Sequence, residues 1–388
     1  AIEILDVAKL AGDVAGFGVA AVALDSVTGD ITLPVAGADT YRYGVFREFV
    51  TADAGTEPAD RTVNAGRSLA IGDATGDGLP DILVEDCGHC VNDFTGRANR
   101  LIPNVGHSLP TSLAHETLGL VAGTSTGLIR GSVSPVHSRV VALGDVNGDG
   151  AVDHVSAGPG NLHVWLGDGS ADPFAASTMI PIPVTTPSFP GIYPSDLELV
   201  DVDLDGDLDA IVIARAFDGS LVFENDGDDT PFSEPWYEIT GLTGISSVTS
   251  EVQQVVAVGD LDGDGDLDHV VGGGALWVVK NNETPGAPMA GTATNLASPL
   301  SITDLELGDL DGDGDLDIVV SDFSSGRQNL WFENNGAGTF AAGVSINDDI
   351  VDLQGFSGSD SAVEVADVDG DGDLDLVFSV LGAYAEED

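Results

Sequence analysis

Basic residues are scarce in this sequence: lysine and arginine together number 12, against 65 aspartate and glutamate residues. The formal net charge of −53 excludes nucleic acids and anionic membrane surfaces as expected partners, because both are bound through basic residues. No apolar run reaches about 18 residues, so the sequence predicts no membrane insertion. Two cysteines, Cys87 and Cys90, cannot staple a chain of 388 residues.

Apolar residues, by contrast, make up 43% of the chain, and many of them are valine, isoleucine and leucine. This content argues for a packed fold rather than for the disorder that acidity alone would suggest. The length allows a large core, built as several domains or as one repeat fold. The chain opens at Ala1 rather than at a methionine, which fits a processed export product and a trimmed fragment equally well.

A nine-residue acidic motif, Asp-x-(Asp/Asn/Thr)-x-Asp-Gly-x-x-Asp, occurs six times and defines the organisation of the chain. Its copies begin at Asp73, Asp145, Asp201, Asp260, Asp309 and Asp367, at intervals of 72, 56, 59, 49 and 58 residues. Glycine occupies the sixth place in every copy, which predicts a turn whose backbone needs a positive φ.

Each acidic loop lies between two short apolar runs that are rich in β-branched residues, which is typical of strands buried on both faces. In the fourth copy these runs are 255–258 and 267–271. A third, aromatic-rich run follows and ends in a turn, as in 330–336. Three such strands and an outer fourth, repeated roughly every 50–60 residues, predict the blade of a β-propeller.

A degenerate seventh loop is predicted at Asp25, which lies 48 residues ahead of Asp73 and precedes a strand-like segment at 41–50. The predicted fold is therefore all-β: a seven-bladed β-propeller of four-stranded antiparallel blades, formed by 1–388 as one domain. Its blade loops lie near residues 25, 73, 145, 201, 260, 309 and 367, with an insertion at 86–140.

The terminal segments predict how the ring closes. Residues 2–8 have no blade of their own, and the last blade lacks its outer strands. We therefore expect the N- and C-terminal strands to share one blade, which leaves no open sheet edge. The alternative is self-association, in which residues 2–8 pair with another subunit and build a filament.

Oxygen ligands at alternate positions of a tight loop suit a hard cation. Ca²⁺ accepts six to eight oxygens at about 2.3–2.6 Å in flexible geometry, whereas Mg²⁺ requires an octahedron and keeps its waters. A solvated acidic turn would explain one copy, but six matched copies favour a metal site. An EF-hand is excluded, because Val271 stands at position twelve of the fourth loop and the flanking segments are strands.

These loops, the apolar runs after them and the segment Leu330–Phe340 resemble the FG-GAP/VCBS repeat family. Its members are calcium-binding propeller repeats of integrin α-chain heads and of many secreted bacterial proteins. The resemblance covers about residues 15–380 and implies a seven-bladed propeller with Ca²⁺ bound between the first two strands of a blade. Because cytosolic Ca²⁺ is scarce, we expect the protein outside the cell, either secreted or on a cell surface.

The resemblance implies about six Ca²⁺ sites, each with four ligating side chains. These are Asp73, Thr75, Asp77 and Asp81; Asp145, Asn147, Asp149 and Asp153; Asp201, Asp203, Asp205 and Asp209; Asp260, Asp262, Asp264 and Asp268; Asp309, Asp311, Asp313 and Asp317; and Asp367, Asp369, Asp371 and Asp375. Thr75 departs from the pattern, since a hydroxyl is a weaker ligand than a carboxylate. The loop at Asp25 lacks acids at its third and ninth places and is expected to hold no metal.

The insertion breaks the repeat and contains a Cys87-Gly-His-Cys90 motif. A local disulfide is the first interpretation of this motif. A Zn²⁺ or copper site that uses His89, and redox chemistry, are the alternatives.

Two classes of function compete. One is a rigid, calcium-locked module for adhesion or for recognition of a carbohydrate or protein ligand on or outside a bacterial cell. The other is an extracellular polysaccharide lyase or hydrolase, which would need a basic residue against a uronate and a histidine or tyrosine base. Residues that could fill those roles, without a motif that ties them together, are Arg97, Arg100, His107, His115 and Tyr193. We favour the binding module, and no catalytic residue is assigned.

Overall fold

A computed structural model of the chain describes residues 2–6, 23–24, 31–32, 68–84, 99–104, 140–158, 161–174, 177, 180–183, 194–214, 220–225, 231–232, 237–239, 255–281, 291–322, 329–346, 359–368 and 374–381. Within these ranges the chain forms antiparallel β-sheets and no helix. The same ranges accordingly contain no helix of the length and apolarity needed to cross a membrane.

The strands fall into six sheets, called blades one to six in the order of their acidic loops, and one separate hairpin. The N-terminal strand is β1 (Ile2–Asp6), and the hairpin is β2 (Ala23–Leu24) and β3 (Ile31–Thr32). Blade one contains β4 (Leu69–Gly72), β5 (Asp81–Val84) and β6 (Arg100–Ile102). Blade two contains β7 (Val140–Gly144), β8 (Asp153–Gly158), β9 (Asn161–Trp165) and β10 (Ile180–Pro183).

The remaining blades follow the same order. Blade three contains β11 (Pro194–Val200), β12 (Asp209–Ala214), β13 (Ser220–Phe223) and β14 (Tyr237–Ile239). Blade four contains β15 (Val255–Gly259), β16 (Asp268–Gly272), β17 (Leu276–Asn281) and β18 (Gly291–Ala297). Blade five contains β19 (Ile302–Gly308), β20 (Asp317–Asp322), β21 (Leu330–Phe332) and β22 (Val344–Ser345), and blade six contains β23 (Ser359–Ala366) and β24 (Asp375–Leu381).

The blades form because their strands are short apolar runs that bury both faces. Every residue of β8, β16 and β20 is buried. The predicted run 255–258 lies in β15, the run 330–332 is β21, and blades two to five each have the predicted outer fourth strand. The predicted all-β class and the repeated sheet unit are therefore confirmed.

The first strand of each blade contacts the first strand of the next, and the six blades meet in cyclic order. A buried apolar cluster fills each of the six interfaces. At the interface of blade six with blade one, Leu69 and Ile82 pack with Ala362 and Val377. Across the same interface, Asn104 Nδ2 donates a hydrogen bond to the Val368 carbonyl at 2.9 Å.

The predicted count of seven blades therefore has to be corrected to six sheets in cyclic contact among the described residues. Direct packing of β23 on β4 leaves no place for a seventh sheet between them. The loop predicted at Asp25 lies outside the described residues, and only the two-residue strands β2 and β3 flank it.

The N-terminal strand joins blade six. β1 pairs antiparallel with β24, with Ile4 opposite Val377, and gives that blade the strand order β1-β24-β23. This is the pairing that the sequence predicts for residues 2–8, seen for Ile2–Asp6. The strand that a filament would require is consequently already paired within the chain.

Two kinds of polar link recur at the interfaces between blades. In one kind, a side chain near the start of the first strand accepts a hydrogen bond from the next blade: Val141 N to Ser68 Oγ (3.1 Å), Val256 N to Asp196 Oδ2 (2.7 Å) and Val363 N to Asp304 Oδ2 (3.0 Å). In the other kind, an asparagine donates to the acidic loop of the preceding blade: Asn104 to Val368 O (2.9 Å), Asn225 to Val146 O (2.7 Å) and Asn334 to Leu261 O (2.9 Å). Hydrogen bonds therefore supplement the apolar packing between blades.

Candidate metal centres

Each acidic loop connects the first strand of a blade to the second, and it curls around the carboxylate of its first aspartate. In the fourth loop, Asp260 Oδ1 accepts from Gly263 N at 2.8 Å and from Asp264 N at 3.2 Å, while Asp260 Oδ2 accepts from Gly265 N at 3.0 Å. Asp73, Asp145 and Asp201 accept from positions five and six of their own loops in the same manner. The regular spacing of the motif thus produces a preformed ring of oxygens.

Glycines allow this curl. The sixth-place glycine has a φ between +87° and +104° in the first five loops, as the sequence predicts, and Gly372 lies outside the described residues. The fourth place also has a positive φ, which the sequence analysis missed. It is glycine in the first, second, fourth and fifth loops, but the third loop has Leu204 there, with a φ of +63° and an exposed fraction of 61%.

The ninth aspartate of each loop is the first residue of the second strand and is buried. In the fifth loop, Asp317 Oδ2 accepts from Leu310 N at 3.3 Å and from Trp331 Nε1 at 3.0 Å, and Oδ1 accepts from Asn334 N at 2.8 Å. Asp81, Asp153, Asp209 and Asp268 likewise link the loop to the end of the third strand through two backbone N–H groups. These carboxylates therefore hold the blade together as well as bordering the loop.

Three loops bring three carboxylates close enough to hold one metal ion. A ligand oxygen from each member lies within 4.8 Å of the others in the groups Asp201, Asp203 and Asp209; Asp260, Asp262 and Asp268; and Asp309, Asp311 and Asp313. The predicted ligands Asp205, Asp264 and Asp317 are not members of these groups. No such group occurs in the first or second loop as described, where Thr75 and Asn147 replace the third aspartate, and Asp369 and Asp371 lie outside the described residues.

Several oxygens in these loops are buried without a hydrogen-bond partner: Thr75 Oγ1, Asp262 Oδ1, Asp266 Oδ2 and Asp309 Oδ1. A buried carboxylate oxygen without a donor or a cation is costly, because it has lost its hydration. Carboxylate oxygens grouped at this spacing are the donor set that Ca²⁺ accepts. The residues present therefore fit a hard cation.

Among the loop residues, burial raises the pKa most clearly for the ninth aspartates. Burial raises the pKa of Asp153, Asp209 and Asp317 to about 6, although backbone N–H donors oppose the shift. A neighbouring cation would favour the charged form and lower these pKa values. Proton and metal are thus expected to compete at these loops.

A second set of acidic side chains, which the sequence analysis missed, lies on the first strands: Asp196, Glu198, Asp304, Glu306 and Glu364. The first strands contact one another round the ring and so surround its centre. Asp196 and Asp304 each accept from the first strand of the next blade, through Val256 N and Val363 N. Burial raises the pKa of Asp196 to about 6 and of Glu198 to about 8. Burial, reinforced by the other members, raises the pKa of Asp304, Glu306 and Glu364 well above the usual range. The repeated Asp-Leu-Glu-Leu sequence at 196–199 and 304–307 was the available signal.

The histidines in the described residues are core side chains. His154 stacks on Trp165 with ring centroids 4.5 Å apart, and burial lowers its pKa to about 3. His163 and His269 are also buried. The candidates Cys87, Cys90, Arg97, His107, His115 and Tyr193 lie outside the described residues, and Arg100 is described only as part of β6, opposite Val84.

The sequence matches the FG-GAP-like repeat in four overlapping segments: 145–212, 201–271, 260–320 and 309–378. Together these segments run from 145 to 378, which is more than half of the chain. The chain belongs to the FG-GAP-like repeat family. Each segment begins at an acidic loop and ends in or just after the second strand of the following blade, so the family repeat covers the interface between two blades.

No curated protein matches the sequence. Among solved structures, an Agrocybe aegerita lectin that recognises non-reducing terminal N-acetylglucosamine is 22% identical, with a TM-score of 0.48 over 79% of this chain and 72% of that one. The BP39L lectin of Burkholderia pseudomallei is 15% identical, with a TM-score of 0.41 over 74% and 71%. The Photorhabdus luminescens Tc holotoxin pore is 21% identical, with a TM-score of 0.43 over 84% of this chain and 14% of that one. Likeness at this level carries no argument about what this chain binds.

Proposed function

We propose that this protein is a calcium-binding propeller that works outside the cell, secreted or at a cell surface, as a rigid module for adhesion or for recognition of a carbohydrate or protein. The observation that supports this most directly is the pair of buried, unpartnered oxygens Asp262 Oδ1 and Asp309 Oδ1 in two matched loops. Each belongs to a group of three carboxylates within the reach of one ion. Ca²⁺ supplies there the positive charge that offsets the repulsion between the carboxylates.

The first aspartate and the ninth aspartate set the shape of each loop through backbone hydrogen bonds, so the loop exists before the ion binds. The third aspartate, such as Asp262, then contributes its free oxygen. Preorganisation of this kind reduces the ordering cost of binding. Extracellular Ca²⁺ modules bind with dissociation constants of about 10⁻⁴–10⁻³ M, a range that is useful only outside the cytosol.

Asparagine links between a blade and the preceding acidic loop place the loops at one end of the ring. Ions bound there would stiffen the contacts between blades as well as the loops themselves. A stiff, ion-decorated face of this kind suits recognition, because little conformational entropy is lost when a ligand binds.

Calcium binding is tested by thermal unfolding in millimolar CaCl₂, in MgCl₂ and in a chelator. We expect the midpoint to rise by several degrees in CaCl₂ over chelator and by much less in MgCl₂. Asp262→Asn and Asp309→Asn should each reduce this rise, while Asp172→Asn, outside the loops, should preserve it. An equal midpoint in CaCl₂ and chelator for the unmodified chain would overturn the proposed calcium role.

Recognition is tested by applying the calcium-loaded chain to arrays of glycans and to extracellular matrix proteins. Retention that is lost in chelator supports the proposal. Release of unsaturated uronates from an acidic glycan would instead establish a lyase. Chains that assemble end to end in the absence of any ligand would establish the filament.

A further inference from the structure

At one position beside the acidic loops, the residue is acidic in blades three and five and basic in blade four. The residue that donates its backbone N–H to Oδ1 of the ninth aspartate is Asn225 in blade three, Asn281 in blade four and Asn334 in blade five, at 2.7, 2.7 and 2.8 Å. The same hydrogen bond makes the residues immediately before these asparagines structurally equivalent. Those residues are Glu224, Lys280 and Glu333.

In blade four this position lies against the metal-binding loop. Lys280 Nζ is 3.3 Å from Asp262 Oδ2, with side-chain exposed fractions of 33% and 21%. The other oxygen of the same carboxylate, Asp262 Oδ1, is the buried atom without a partner. A positive charge is therefore built in next to the oxygen that would bind the ion.

Contacts with blade five fix the position of the Lys280 side chain. Its ammonium donates a hydrogen bond to the Ala337 carbonyl in the turn of blade five. Its stem crosses Gly338, where an added Cβ would collide with Lys280 Cε, and the φ of +59° at that glycine further disfavours a side chain. The contact joins the fourth loop to the next blade without any metal.

Blade five has the opposite charge at the same position. Glu333 immediately precedes Asn334, whose N–H donates to Asp317 Oδ1 of the fifth loop at 2.8 Å. It therefore occupies in blade five the place that Lys280 occupies in blade four. A negative charge beside the loop attracts a divalent cation, whereas an ammonium repels it.

We propose that this position sets the calcium affinity of each loop: Lys280 is a tethered counter-ion that weakens the fourth site and keeps its loop folded without metal, and Glu333 strengthens the fifth site. This inference rests on the proposed calcium binding. It divides the loops by calcium affinity, with the fourth site weaker than the fifth. Glu224 stands at the equivalent place in blade three and assigns the third loop to the higher-affinity group.

The fifth site can be followed by Tb³⁺ luminescence, because Trp331 Nε1 is hydrogen-bonded to Asp317 of that loop and can sensitise the ion. The difference between chains with and without Asp311→Asn gives the contribution of that loop. Glu333→Lys should weaken Tb³⁺ binding there by about tenfold or more, and Glu333→Gln by a few-fold. Calcium should displace the Tb³⁺ in the same order. Unchanged Tb³⁺ affinity in Glu333→Lys would overturn the inference.

The calcium affinity of the fourth site is measured by calorimetric titration of the whole chain. The same titration is repeated on a chain with Asp262→Asn, and the difference between the two gives the contribution of the fourth loop. Lys280→Glu should raise the affinity of the fourth site by about tenfold, and Lys280→Met, which keeps the stem against Gly338, by a few-fold. In chelator both variants should unfold at a lower temperature than the unmodified chain. Thr294→Glu, on the exposed face of β18, controls for added negative charge.

The outcomes separate the two proposals. If the unmodified chain binds calcium and both Lys280 variants leave the fourth-site affinity unchanged, the tuning role is wrong and calcium binding stands. If the unmodified chain binds neither Ca²⁺ nor Tb³⁺, calcium binding itself is wrong. A rise in affinity with Lys280→Met and a further rise with Lys280→Glu would establish charge, rather than packing, as the cause.

Discussion

Carboxylates occupy two contrasting environments in this protein, the acidic loops at the end of the ring and the first strands around its centre. In the loops, backbone N–H groups point at the oxygens, as at Asp260, which accepts three such bonds. At the centre, Asp304 accepts from Val363 N and Leu305 N but also faces Asp196 and Glu198 across the ring. The same residue type is thus prepared for a cation in one place and driven toward its protonated form in the other.

Burial is the largest cause of the raised pKa values at the centre, and the charges of the other acidic side chains there add to it. Hydrogen bonds to the charged form favour ionisation, whereas burial and like charges oppose it. Among the described residues, the only lysine close to any of these carboxylates is Lys280, and it serves a loop. Loss of an acceptor should destabilise both environments, and more strongly at a loop aspartate that accepts three hydrogen bonds.

The largest effect is expected at a ninth loop position. Asp317→Ala would leave three donors without an acceptor: Leu310 N, Asn334 N and Trp331 Nε1. Each unsatisfied buried group costs about 1–3 kcal/mol, so the free energy of unfolding should fall by roughly 3–5 kcal/mol. Urea unfolding in chelator measures this loss without any contribution from metal. A loss below about 1 kcal/mol would show that the loop does not depend on this carboxylate.

Two substitutions of Asp304 at the centre distinguish the loss of a hydrogen-bond acceptor from the loss of a charge. Asp304→Asn keeps an oxygen for Val363 N and removes the acidic charge, but its NH₂ group cannot accept from Leu305 N, so the free energy of unfolding at pH 8 should change by less than about 1 kcal/mol. Asp304→Ala removes the acceptor and should destabilise the protein by about 1–2 kcal/mol. Urea unfolding of both variants in the same buffer measures the difference. Equal effects of the two changes would contradict the assignment of Asp304 as a hydrogen-bond acceptor.

The pH dependence should also differ between the two environments. Burial raises the pKa of Glu198 to about 8, so the folded state binds a proton that the unfolded chain releases near its ordinary value of 4.5. This contribution to stability is present at pH 4 and is lost as the pH rises toward 8. Glu198→Gln should therefore gain about 1 kcal/mol over the unmodified chain between pH 5 and pH 8.5, as measured by thermal unfolding at each pH. A pH-independent difference would contradict the raised pKa.

The smallest expected change in stability is at Leu204, the fourth residue of the third loop. Leu204 is the one non-glycine residue at the fourth place of the loops whose backbone is described, and a left-handed conformation costs a residue with a Cβ about 1–2 kcal/mol. Glycine also makes the unfolded chain more flexible, so Leu204→Gly should gain only about 0.5 kcal/mol net. Chemical denaturation in saturating calcium measures it, with Gly263→Leu as the reciprocal variant that should lose stability. A destabilised Leu204→Gly would indicate that the exposed leucine makes a contact that offsets its strain.

Much of the loops could be predicted from the sequence, because they are local. Alternating aspartates and a glycine within nine residues reach each other through the turn they form, and Gly265 has the positive φ that its place predicts. Features that depend on distant contacts could not be predicted in this way. The interactions of Glu198 and Lys280 are of this kind, because their partners lie on other blades.

The repeat, the β class and the oxygen-rich loops were determined by the sequence itself, since each needs only neighbours a few residues away. The number of sheets in cyclic contact was decided by tertiary packing, in which β23 meets β4. Tertiary structure also decided which carboxylates share the centre of the ring and which loop receives a lysine. Charges interact through space rather than along the chain, so their environments exist only once the blades have assembled.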